Sequence, residues 1–152
     1  MCTMEVLKIF FSGILGTLMM TVFSHILELL TGSKFNEAHL LNGLLDRSKF
    51  SNSNIQKNNF LGWILHFTIG ICMAAMLYFY YLYISNYISL WLGIILGFVL
   101  GIIGIAGWLI MKNCHSKPPE INWYSFFIQL IVAHVVFGVV VTWVFIRFIF
   151  KN

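Results

Sequence analysis

Four apolar runs alternate with polar stretches along this chain: Val6 to Leu30, Phe60 to Ile84, Tyr87 to Met111 and Ile121 to Phe148. A membrane-crossing helix needs about 20 residues, at 1.5 Å each, to traverse roughly 30 Å of hydrocarbon. Each run meets that length. The first is too long for the apolar core of a signal peptide, and no Ala-x-Ala-like cleavage site follows it, so it reads as a permanent helix. The pattern predicts an all-α protein: an integral membrane four-helix bundle in a single transmembrane domain, 1–152. Its helices should lie at about 6–30, 60–84, 87–111 and 121–148.

Polar positions inside the runs refine this picture. In the first, Gly13, Thr17, Thr21, Ser24 and Glu28 share one side at 100° per residue, with His25 at the shoulder. Lipid would leave such groups unpaired, so the stripe must meet protein, a cavity or headgroups. The long polar segment 31–59 opens with a short helix, capped by Asn36, whose Leu40, Leu41, Leu44 and Leu45 share a face. That helix is expected to be interfacial, lying on the membrane surface or tucked against the bundle. The remainder, Ser48 to Asn59, reads as a mobile loop. The tight connection at Ser85-Asn86 predicts that the second and third long helices are antiparallel neighbours. Gly93, Gly97 and Gly101 repeat at four-residue spacing, a seam that admits the backbone of another helix and could serve an oligomer. Pro118-Pro119 ends the third helix.

Composition changes the picture chiefly by exclusion. The chain is 60% hydrophobic and 9% charged, with a mean hydropathy of +0.89, whereas a soluble domain has about 25% charged residues. The solvent around most of it is lipid. The net charge of +4 does not read as a nucleic-acid surface, because the nine Lys and Arg are scattered through loops and helix ends. Lys34, Arg47, Lys49, Lys57, Lys112 and Lys117 lie on one side, and Lys8, Arg147 and Lys151 on the other. Six against three places loops 31–59 and 112–120 in the cytoplasm. Trp63, Trp123 and Tyr124 at one level, with Tyr78 to Tyr83 and Trp143 at the other, form aromatic belts. Cys2, Cys72 and Cys114 have no paired spacing and imply no disulfide framework.

The candidate chemistry lies in the histidines. Ionisable residues inside a membrane are costly, so each is a functional hypothesis by default. His25, His66 and His134 fall within helices, the first two at nearly one depth, roughly 9 Å from the same membrane face. His66 and His134 each have glycine four residues on, Gly70 and Gly138, which turns them toward the bundle and marks both glycines as packing points. Gln129 and His134 stand about 140° apart and must face different neighbours. Haem could be ligated by His25 and His66, with His134 as a further candidate. A metal could be held by His25, Glu28 and His66. A proton or solute pathway could follow the Thr17–Glu28 stripe. Against these stands plain structural use, each imidazole hydrogen-bonding a neighbour and fixing helix register. No nucleophile–base pair, phosphate loop or paired-cysteine motif is present, and no named reaction is supported.

These residues carry a resemblance. Gly13-x-x-Gly16-Thr17-x-x-Met20-Thr21, Leu40-Leu41-x-x-Leu44-Leu45, Gly62-Trp63-x-x-His66-x-x-x-Gly70, the glycine-rich third helix and His134-x-x-x-Gly138 resemble small four-helix bacterial and archaeal membrane proteins of unknown function, loosely YagU-like. The resemblance implies a four-helix architecture in a bacterial inner membrane and directs attention to His66 and His134. It brings no activity. The expected role is structural, accessory or envelope-maintaining, with the lipid bilayer and a second copy or another membrane protein as partners.

Overall fold

A computed structural model describes residues 3–46, 59–85, 87–115 and 118–150. Cys2, Arg47, most of the polar loop at 48–58, Asn86, Lys117 and Lys151 lie outside the described residues. The elements are α1 (Thr3–Thr31), α2 (Glu37–Asp46), α3 (Phe60–Tyr83), α4 (Leu90–Cys114) and α5 (Trp123–Phe148). Among the described residues α1, α3, α4 and α5 are long and apolar enough to cross a membrane. The chain is a multi-pass membrane protein whose elements, among the described residues, are all helices.

Local chemistry sets the helix ends. Gly32 takes the left-handed conformation, φ 70°, and stops α1 there, since a side chain would strain that backbone. Glu28 then turns the chain back: its Oε2 accepts from the backbone N–H groups of Phe35 and Asn36, both at 3.0 Å. Asn36 caps α2, accepting from His39 N–H at 3.1 Å. Asn59, Ser89 and Asn122 cap α3, α4 and α5 in the same way, each meeting a helix-start donor that has no partner within the helix. Ser89 explains why α4 begins at Leu90 rather than Tyr87. At the far end, Lys8 Nζ donates to Phe148 O at 2.7 Å, where a cation is favoured by the carbonyl end of α5.

The long helices form an arc rather than a closed ring. α1 packs between α3 and α5, and α5 packs most extensively with α4, so the order across the bundle is α3–α1–α5–α4. The sequence-based expectation that α3 and α4 are packed neighbours is therefore corrected: these consecutive helices scarcely touch. The physical reason is the glycine seam of α4, which is committed to α5. A Cβ on Gly97 would lie 2.5 Å from His134 O, and one on Gly101 2.9 Å from the Cα of Ile131. A Cβ on Gly138 would collide with Gly93 O and stand 2.7 Å from the Cα of Gly97. The two backbones are in van der Waals contact, the association that glycine allows in lipid. An oligomer through α4 would have to use another face.

α2 is built into one end of the arc. Leu40, Leu41 and Leu44 are buried with Phe35, Trp108, Phe126 and Leu130. Asn42 ties α2 to the start of α3: its Oδ1 accepts from Gly62 N–H at 2.7 Å, and its Nδ2 donates to Asn59 O at 2.6 Å. A second cluster at the other end gathers Tyr78, Tyr81, Phe137 and Phe145, with Tyr81 Oη and Thr142 Oγ1 hydrogen-bonded at 2.9 Å. α2 closes one end; the side between α3 and α4 stays open.

Candidate functional site

The polar stripe of α1 faces inward, and most of its hydroxyl hydrogens go to its own helix. Thr17 donates to Gly13 O, Thr21 to Thr17 O, both at 2.7 Å, and Ser24 to Met20 O at 2.9 Å. Thr17 packs against Gly70, where a Cβ would collide with its hydroxyl. The stripe is thus covered by α3 and α5. His25 lies one residue beyond Ser24, about 100° around the helix, and its side chain is exposed on the outer face. The expectation that His25 turns inward is corrected. Glu28 is engaged in the α1–α2 turn. His25 and Glu28 therefore do not converge with His66, and among the described residues no three His, Cys, Asp or Glu side chains are gathered to hold a metal ion.

His66 and His134 do share a space. Both are buried, at 7% and 4% exposure, and both line a cleft of about 240 Å³ between α3 and α4. Its lining draws Met20 from α1, Ile69 and Met73 from α3, Ile103, Gly107 and Met111 from α4, and Leu130 from α5. It is partly open on the side where α3 and α4 fail to meet. An engineered cavity of about 150 Å³ with aliphatic walls takes up benzene; this cleft is larger, and its lining is overwhelmingly apolar.

Three polar side chains border this apolar space. His66 Nε2 lies 3.0 Å from Thr21 Oγ1. Because the Thr21 hydrogen goes to Thr17 O, the imidazole is the donor. His134 Nδ1 lies 2.8 Å from Leu130 O, and a carbonyl can only accept, so this nitrogen carries hydrogen. Each neutral ring then keeps one nitrogen as an acceptor, Nδ1 of His66 and Nε2 of His134, with no partner among the described residues. The third side chain is Glu37, on α2, 2% exposed. Its Oε1 lies 3.0 Å from Ser24 Oγ and accepts from Gln129 Nε2 at 3.3 Å, and Gln129 Nε2 also donates to Ser24 Oγ at 2.6 Å. Among the described residues, Oε2 of Glu37 and Oε1 of Gln129 are buried without a hydrogen-bond partner. Burial, opposed by these hydrogen bonds, pushes the Glu37 carboxyl up to about 7.

Gln129 and His134 thus face different neighbours, Gln129 toward α1 and α2 and His134 toward α4. Glu37 is the residue that sequence reasoning missed. It stands directly after the cap of α2, where an acidic residue reads as a solvated helix-start charge. Its one signal is the leucine face of α2, which implies docking but not which neighbouring residues go under with it.

The model of a family of unknown function, DUF6789, matches residues 4–150. No curated protein matches the chain, and no solved structure does.

Proposed function

The chain belongs to the DUF6789 family, and from that premise we propose a non-enzymatic accessory protein of the membrane that holds a lipid-like molecule in the α3–α4 cleft. One observation carries the reading: a partly open apolar cleft lies between two helices that cross the membrane, with buried polar groups along it. Ligand sites have this composition, apolar walls with a few convergent polar atoms. A lipid can enter from the side without crossing the headgroup layer.

On the likeness to YagU-like proteins, the membrane is the inner membrane of a bacterial or archaeal cell. The Lys and Arg count puts loops 31–59 and 112–120 in its cytoplasm. The histidines belong to the ligand site in this reading rather than to haem or metal, since His25 points away from His66.

The test is to extract the protein with its surrounding lipid and compare the retained lipids with the bulk membrane by mass spectrometry. One species should be enriched near one copy per chain. Gly107→Leu should abolish that enrichment, because Gly107 lines the cleft and a Cβ there meets nothing within 4 Å, so the new side chain fills the space without disturbing the fold. Retained lipid indistinguishable from the bulk would reject the reading.

A further inference from the structure

Resting on the cleft as a lipid site, we infer that it recognises a neutral lipid alcohol, with Glu37 donating a hydrogen bond to the ligand hydroxyl and His134 Nε2 accepting one from it. Among the described residues no Lys or Arg lines the cleft, so a phosphate or carboxylate head would lie beside an acidic side chain with no cation among those lining residues to meet it. The burial of such a charge is costly.

The buried polar atoms then narrow the choice. Glu37 Oε1 already accepts from Gln129, which leaves Oε2, buried and unpartnered among the described residues, as the oxygen for the acid proton and makes it a donor without a recipient there. His134 Nδ1 is held by Leu130 O, which leaves Nε2 an acceptor without a donor. That nitrogen lies against α4 at a residue with no side chain, 3.2 Å from where a Cβ of Gly104 would stand. A hydroxyl satisfies both demands, since it accepts and donates through one oxygen. A ketone, ester or ether only accepts and would leave the His134 lone pair unmatched. An unpaired buried group of this kind is what lets a site reject an analogue lacking the hydroxyl. Lipid alcohols of two kinds share the chemistry, isoprenoid alcohols and diacylglycerols.

The groups facing Glu37 are Ser24 and Glu28 on α1, His66 on α3, and Gln129 and His134 on α5; α4 contributes only uncharged side chains to the cleft. Rising pH should remove the Glu37 donor and weaken the alcohol.

The experiment uses the full chain in phosphatidylcholine nanodiscs with photoactivatable probes: a long-chain isoprenoid alcohol, its methyl ether, and a diacylglycerol. Crosslinks should map to α3 and α4 around the cleft. One alcohol should be captured about tenfold better than the ether, the order of one net hydrogen bond, and the better of the two identifies the source. Glu37→Leu and His134→Phe should each erase the preference. Glu37→Gln, which keeps an N–H donor, should retain it and bind equally at pH 6 and pH 8.5, while the parent chain weakens at the higher pH. Equal capture of alcohol and ether, blocked by Gly107→Leu, would overturn hydroxyl recognition and leave the lipid site standing. Capture unaffected by Gly107→Leu would overturn both. Because Glu37→Gln and the ether comparison do not depend on the drastic variants folding, the result is decided in either case.

Discussion

Glu37 shows how one side chain sets a condition for the whole site. In an unfolded chain its carboxyl titrates near the ordinary 4.5; folded, burial raises that to about 7. Between those values the folded protein binds more protons than the unfolded one, so stability must fall as pH rises through this window. Above pH 7 the full cost is present, about 3 kcal/mol by the linkage relation. The thermal midpoint of the parent chain in detergent should therefore drop between pH 5 and pH 8. Glu37→Gln should flatten that profile and leave the variant the more stable of the two at pH 8. Parallel profiles would mean that the carboxyl is hydrated in the folded protein. His25 teaches the complementary lesson. Its neighbour Ser24 points inward, and one residue of helical rotation sends the imidazole outside. Matched depth along two helices says nothing about azimuth.

At the scale of elements, the helices were legible because an apolar run of membrane length has few other structures open to it. The pairing of those helices was not. Four-residue glycine spacing announces that a backbone will come close, but any helix offers one, and here α5 rather than α3 takes the place. The α4–α5 seam makes a sharp comparison available. Gly138→Ala puts a methyl group onto Gly93 O, a backbone atom that cannot yield without parting the helices. Gly107→Ala puts one into open space. The first should lower the thermal midpoint by many degrees and the second should leave it unchanged; equal effects would contradict the seam. Gly62→Ala should uncouple α2, because its Cβ would collide with Ala38 O and stand 2.6 Å from Asn42 Oδ1. Limited proteolysis should then cut within α2 in this variant and spare the parent. The half of the site contributed by α2 was invisible in the sequence for a related reason: the leucines predict that α2 docks, while the burial of Glu37 depends on Ser24 and Gln129 meeting it there.

For the molecule as a whole, the proposed sidedness rests on the Lys and Arg balance and is open to a direct check. Cys114 is exposed at the end of α4, on the side of the two more basic loops. With Cys2 and Cys72 replaced by Ser, a membrane-impermeant thiol reagent should leave Cys114 unlabelled in intact cells and label it after lysis. Labelling of intact cells would invert the topology. The arc also has a consequence for how the chain is made. Ser24 receives its hydrogen bond from Gln129, 105 residues later. At about 5–20 residues per second of synthesis, α1 waits roughly 5–20 s for α5 to emerge. His66 reaches Thr21 after only 45 residues, so α3 screens part of the stripe early while Ser24 and Glu37 stand without Gln129. A newborn chain therefore passes through a stage with half its polar interior uncovered, and insertion factors that shelter hydrophilic helix faces would find their substrate there.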